Sequence, residues 1–477
     1  MENMSEEMEN TPLHETDQLA SWMRNEMDSK VSSSNNNCCI YKIPEFIRKE
    51  KEQCYSPVVL SIGPIYYGKP ELETMEKLKW VTLKWFLEHP NSGDHNLEYY
   101  LHFIRQKEEQ ICECYQDMNK CNLIPKHEFR AMILRDAAFI FYLFIENWTD
   151  MEQLAIPDQM RVLMRSQTDR DLFLLENQMP YFILESLYDV SFGMILQVSF
   201  IELTRYYIGS RGRWTLPGCK TVNSQVAVDE IAEETCIDHL LDFLCRCLQL
   251  QTLEQRQRRL LKPKKNNNKV TETIKKAAHY VSTTLIPLNR RPSVQNQQIF
   301  PSSAKQLSDA GIQFKASKSI NQLDIGYADG VLEIPKIDLD DNTESAIRNI
   351  IYFEQCRYYN DSCFIDYVYF LDGLINTEED IQILVENKIL DSLLGSHREA
   401  ADLFNKVTTN TTINSYNFSY ADISVEMNGY ANTSWHRWKA ILKRDYFNHP
   451  WSVISVTYLV ILLVLTILQV YTGFKAS

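Results

Sequence analysis

Twelve cysteines are the side chains of this chain best suited to bind a soft metal or to cycle between thiol and disulfide, so their spacing is the first chemical question. Cys112 and Cys114, with Cys121 after them, and Cys245 with Cys247 form Cys-x-Cys pairs. On a helix such partners point about 200° apart and cannot chelate one ion without unwinding it. The Cys-x-x-Cys spacing of common zinc sites is absent. Cys356 and Cys363 can share a helix face, but no histidine-rich motif lies near them, and adjacent Cys38 and Cys39 offer only acylation or surface reactivity. Buried thiols in a reducing compartment are the plainer reading.

The carboxylates raise a second possibility. Asp338, Asp340, Asp341, Asn342 and Glu344 would attract a hard cation, but the EF-hand pattern fails: Thr343 stands where glycine is needed and Asn349 where the bidentate Glu is needed. A capping box of Asp341 with Glu344 explains the same residues. His127 beside Glu128 lacks the second histidine of a zinc face. Glu176, Asn177 and Gln178 lie between apolar Leu174, Leu175 and Met179, just before Pro180. Proline breaks the helix and removes a donor, so these side chains are expected to satisfy backbone groups at a structural junction. Metalloprotease, serine-hydrolase, Walker and dinucleotide-binding motifs are all missing. No catalytic, cofactor-binding or metal site is expected, no cofactor is implied, and the chain reads as something other than an enzyme.

The elements that would carry these residues follow from composition and period. The chain has 477 residues, 44% hydrophobic, 23% charged and 11% aromatic, with only 14 glycines, which favours a large, mainly α-helical body over a glycine-rich nucleotide fold or a many-turned sandwich. Its net charge of -14 disfavours the basic surface that duplex nucleic acid requires. Residues 1–37 carry eight acids against Arg24 and Lys30, then a Ser/Asn run, and read as a solvated, flexible arm. In 38–250 helical spacing places Leu78, Val81, Trp85 and Phe86 on one core face and Phe139, Leu143 and Phe144 on another. A basic stretch, 251–298, follows. Arg246 to Lys276 holds ten Lys or Arg and two Glu without interleaved aromatics, so a solvated linker is favoured over a patch for anionic lipid or nucleic acid. The second half, 299–445, opens with alternating apolar residues around Asp329–Gly330, a β-hairpin signal, and returns to helix with Ile347, Ile350, Ile351 and Tyr358 on one face.

Residues 451–472 contain no Asp, Glu, Lys or Arg, and 13 of them are Val, Ile or Leu. As a helix they would cover about 33 Å, enough for the hydrocarbon core. The sequence thus predicts a single C-terminal transmembrane helix, with Leu462 and Leu465 in its apolar stretch, Trp451 and Tyr471 near its ends, and Tyr458 as a further aromatic anchor. Arg437, Lys439, Lys443 and Arg444 before it, against Lys475 after it, place the N-terminal body in the cytosol, on a single-pass tail anchor in the lipid bilayer. The sequons at Asn147, Asn360, Asn410, Asn417 and Asn432 argue the other way, with less weight.

Several blocks in fixed order resemble the plant family carrying domain of unknown function 247, also catalogued as uncharacterised protein family 481. They are CCIYKIPEFIR from Cys38, SPVVLSIGPIYYG from Ser56, LENQMPYFIL from Leu175, GVLEIPKIDLDDNTESAIRNIIYFEQC from Gly330, LINTEEDIQIL from Leu374, ADLFNKV from Ala401 and RWKAILKRDYFNHPWSVISV from Arg437. Within the third block the family motif falls on Leu175, Glu176, Asn177, Gln178 and Pro180. The resemblance implies a helical body with a C-terminal membrane anchor and brings no catalytic residue, while some grass members are proposed recognition determinants of self-incompatibility. The expected fold is therefore mainly α-helical with a small β-hairpin region (α+β) and a single C-terminal transmembrane helix. The expected function is protein–protein recognition with an unidentified protein partner and no nucleic acid; binding of anionic lipid or nucleic acid by the basic stretch, or an enzyme of unrecognised type, is the alternative.

Overall fold

The computed structural model describes residues 11–31, 37–88, 96–149, 167–210, 236–249, 299–319, 321, 323–433, 458–459, 461–467 and 469. Within the acidic N-terminal stretch, read from sequence as a solvated, flexible arm, Thr11–Val31 forms a helix (α1). The body starts with the short helix Glu45–Arg48 and continues into α2 (Glu73–Glu88) and α3 (Leu97–Glu113). Next comes α4 (Lys126–Trp148), whose residues from Met132 to Ile145 are all buried. A helix buried around its whole circumference belongs in the middle of a core. Accordingly α2, α3 and the helix Phe200–Ser210 (α6), which follows Tyr181–Tyr188 (α5), pack against it. Aromatic pairs lock the contacts: Phe144 stacks on Tyr207 at 4.3 Å and Phe86 meets Tyr100 at 4.9 Å.

The buried face of α2 is rotated from the one the apolar spacing suggests. Leu78, Trp85 and Phe86 are buried, whereas Val81 is exposed and Lys79 and Thr82 turn inward. The reason is electrostatic: the Lys79 ammonium reaches the buried Asp136 carboxylate on α4 at 2.6 Å, and a charge pair inside the core fixes the helix rotation more firmly than one valine does.

In the second half, β1 (Gln313–Ser317) runs parallel to β3 (Val331–Pro335), and β2 (Gly326–Ala328) pairs antiparallel with β3. Asp329 and Gly330 turn between β2 and β3 with φ of 50° and 79°, the two positive values that a tight hairpin turn requires. A second, parallel pair joins β4 (Ile337–Leu339) to β5 (Leu390–Ser392). Around these strands lie α7 (Thr343–Arg357), α8 (Cys363–Leu374), α9 (Glu378–Glu386), α10 (His397–Val407) and α11 (Ala421–Ala431). In α10 the buried residues Ala400, Leu403, Phe404 and Val407 recur at i, i+3, i+4 and i+7, the stripe of a helix lying on a core. One hydrophobic cluster contains residues of both halves, so the described body is mainly helical with a small sheet region.

The C-terminal expectation is overturned. Among the described residues no helix is long and apolar enough to cross a membrane, which removes the single transmembrane helix and the single-pass location with a cytosolic body built on it. Apolar composition over 451–472 suggested a continuous helix; of that stretch, 458–459, 461–467 and 469 are described. Tyr458, Leu462 and Leu465 are helical and exposed, while Trp451 and Tyr471 lie outside the described residues.

Candidate functional site

The residues flanking Pro180 are a hub of buried polar contacts. Asp171, in the helical turn 167–172, accepts the amides of Val58, Val59 and Leu60 on a single oxygen, Oδ2, at 2.9, 2.8 and 3.0 Å. Burial pushes its carboxyl up, against the pull of those amides and of Arg170, 2.6 Å away. Glu176 accepts the Ile43 amide at 2.7 Å and the Tyr66 hydroxyl at 2.6 Å, and pairs with the Arg48 guanidinium. Asn177 accepts the Ile62 amide and donates to the Leu60 and Asp171 carbonyls, each at 2.8 Å. Gln178 donates to the Leu172 and Leu174 carbonyls. The Leu175 amide donates to Asn349 on α7, and Asn349 in turn donates to the Cys54 carbonyl at 2.9 Å. Pro180 caps α5, and Tyr181 donates to the Asp238 carbonyl. The Glu176 and Asn177 side chains are thus committed to holding the 40–66 segment in place and that of Gln178 to the 172–177 turn and the Leu241 amide, and none presents a free nucleophile or base. Gly63 approaches the junction closely: its φ is +70°, and a Cβ there would lie 2.6 Å from the Gln178 carbonyl oxygen.

Beside the junction lies a cleft of about 1310 Å³, open between the 49–58 segment, the start of α7 and α10. Its floor is Arg348, 5% exposed, whose Nε donates to Glu344 at 2.9 Å and whose Nη2 donates to the Lys406 carbonyl. Lys51 pairs with Glu344 from the opposite wall. The capping box expected of Asp341 and Glu344 does not form, because two full positive charges draw Glu344 away from the weaker dipole of a helix-end amide. Asp340 and Thr343 take over: the Thr343 hydroxyl accepts the Asp340 amide and donates to the Asp340 carboxylate, both at 2.9 Å.

The other candidates do not converge here. His127 is exposed 3.9 Å from Glu128, on the first turn of α4. The eleven described cysteines are free thiols, and among the described residues no group of three or more His, Cys, Asp or Glu is placed to hold a metal. Cys245 and Cys247 are both buried, whereas Cys356 is exposed and Cys363 buried. Cys39 meets Cys114 across the parallel bridge of Ile40 with Tyr115, and the Cys121 thiol donating to Cys112 lowers the latter's pKa. Asn360, Asn410, Asn417 and Asn432 are exposed, and Asn147 is half-buried. The basic stretch 251–298 lies outside the described residues.

Two buried titratable residues carried no sequence signal beyond their type. Glu354 accepts the amides of Phe364 and Ile365 at the start of α8, at 3.1 and 2.9 Å, and burial raises its pKa to about 8. His239 is fully buried against Phe353; its Nδ1 accepts the Asp242 amide and its Nε2 donates to the Cys39 carbonyl, so the neutral ring uses both nitrogens, and burial lowers its pKa to about 4. Their signs oppose. The folded state prefers Glu354 protonated, so its contribution is complete below pH 4.5 and is lost as pH rises toward 8. The His239 contribution is complete above pH 6.5 and is lost as pH falls toward 4. Relative to Glu354→Gln, the wild-type protein should therefore lose about 1.4 kcal/mol per pH unit between pH 4.5 and 8, read from urea midpoints. Parallel pH profiles for the two proteins would refute this assignment.

A family model described as plant protein of unknown function, DUF247, matches residues 40–465. A UPF0481 protein of Arabidopsis thaliana is similar to this chain, 24% identical over 447 residues, covering 92% of this chain and 86% of the relative. A putative UPF0481 protein of the same plant is 22% identical over 497 residues, covering 91% and 89%. No solved structure matches.

Proposed function

Since this chain belongs to the plant DUF247 family, whose function is unknown, we propose that it is a protein-recognition module rather than an enzyme, with the cleft beside the Pro180 junction as its contact surface. The observation that carries the reading is how the cleft is built. Its walls come from segments some 290 residues apart and are tied together through Ser345 and Asn349, both donating to the Cys54 carbonyl, so a rigid surface is presented without any loop needing to order on contact. The buried groups best suited to acid–base work, Glu176, Asp171, His239 and Glu354, are each engaged by backbone amides or carbonyls. Val58 is 54% exposed at the cleft, an aliphatic side chain positioned to gain by contact with another surface.

The test uses the full chain with a photo-crosslinking amino acid at Val58 or, as a control, at Leu123, which is 76% exposed on the short helix Met118–Leu123. In plant cells a defined crosslinked polypeptide is expected from position 58 and not from position 123. Equal crosslinking at both, or none at 58, would remove the reading.

A further inference from the structure

The charge and shape of the cleft go further, to the chemistry of the partner. We infer that the cleft receives an extended peptide segment in which Lys or Arg side chains flank an aliphatic one. This rests on the recognition reading above and names what is recognised.

Four observations converge. The volume of about 1310 Å³ exceeds the roughly 300–1,000 Å³ typical of small-molecule pockets, which suits a polypeptide better than a metabolite. Eight carboxylates and five cations line the cleft, an excess of three negative charges within a chain that is itself at -14. Four of the five cations are already engaged: Lys51 with Glu344, Arg348 with Glu344 at 2.9 Å, Lys406 with Asp402 at 2.9 Å and Lys69 with Glu71 at 3.9 Å. Glu52 on one wall and Asp341 on the other are exposed and, among the described residues, no cation pairs with either, so the surplus negative charge is divided between facing sides. Apolar contact points sit among these charges. Val58 is 54% exposed and Leu394 lines the cleft, with its neighbour Leu393 80% exposed.

A segment lying along the cleft would put cationic side chains toward Glu52 and Asp341 and an aliphatic one against Val58 and Leu394. Charge complementarity of this kind steers encounter and rejects acidic partners more than it adds affinity, while the apolar contact contributes the desolvated centre. A small polyamine would satisfy the carboxylates and leave Val58 and Leu393 uncovered, and anionic lipid or nucleic acid would meet repulsion.

The inference is tested by fluorescence anisotropy of the full chain with a short labelled peptide bearing Lys and Arg around a central Leu pair. Companion probes replace the basic residues with Glu, replace the Leu pair with Ser, or substitute spermine as competitor. Binding of the basic peptide is expected, weakening with salt, falling about tenfold in Glu52→Lys/Asp341→Lys and by a similar factor when Leu is replaced. Both substituted side chains are exposed, and near-UV circular dichroism checks that the fold is kept. Undiminished binding in the double variant, equal or better binding of the acidic peptide, or full competition by spermine with no dependence on Leu would each overturn the cationic-peptide inference. An acidic or neutral peptide that binds and is blocked by Val58→Arg would leave the recognition reading standing. If no peptide of any charge binds and position 58 also fails to crosslink, both fall.

Discussion

Gly63→Ala is expected to lower the stability of the protein by about 2–5 kcal/mol. The left-handed backbone at φ +70° costs an L-residue about 1–2 kcal/mol. The new methyl adds about 1–3 kcal/mol of overpacking, because it would sit 2.6 Å from the Gln178 carbonyl oxygen and 2.7 Å from the Tyr115 hydroxyl. Neither can retreat easily. Gln178 belongs to the junction before Pro180, and the Tyr115 hydroxyl donates to that same carbonyl at 2.9 Å. The Gly63 amide also donates to the buried Asp136 at 2.8 Å, so moving the backbone would disturb the partner of Lys79 as well. Urea unfolding followed by circular dichroism reads the effect, with Gly68→Ala as control, since Gly68 has φ +78° but nothing within 4 Å of its Cβ position. Equal losses in the two variants would show that backbone strain alone matters and that the close approach at Gly63 does not.

Glu176→Ala is the second large effect, about 3–5 kcal/mol, the usual cost of deleting one member of a buried charge pair. It leaves the Ile43 amide without its acceptor, the Tyr66 hydroxyl with the Tyr55 carbonyl at 3.0 Å, and the Arg48 guanidinium, 17% exposed, without its counter-charge. Glu176→Gln keeps an acceptor for the amide and removes the charge, so it should fall between the wild type and the alanine variant. A loss under about 1 kcal/mol for Glu176→Ala would place the residue among ordinary surface ion pairs and refute its role as a keystone of the junction. Because the 40–66 segment forms one wall of the cleft region, the alanine variant should also lose peptide binding before it loses helix content.

What the sequence revealed and what it hid divide along chain separation. Asp329–Gly330 announced its turn because the positive φ values it needs are a property of two adjacent residues. The polar triplet before Pro180 was recognisable as a junction because a proline leaves backbone groups in want of partners nearby. The partners it found in 43, 48, 60, 62 and 66 were not legible, lying more than 100 residues away. The same distance effect moved Val81 to the surface, where Lys79 answers Asp136, and helped dissolve the capping box, where the distant Lys51 joins the local Arg348 in claiming Glu344. The cleft was invisible for this reason: its three walls, 49–58, the start of α7 and α10, lie far apart in the chain. At the C-terminus the error ran the other way. Local apolarity over 451–472 points to a membrane span, whereas among the described residues no helix is long and apolar enough to cross a membrane.

The Cys54 carbonyl is held by Ser345 and Asn349, 291 and 295 positions downstream. At roughly 5–20 residues per second, a ribosome takes about 15–60 s to bring those side chains into existence after Cys54 has emerged. During that interval the nascent N-terminal half exposes apolar surface and unanswered polar groups that its own sequence cannot cover. The protein must therefore complete this contact late in synthesis or after release.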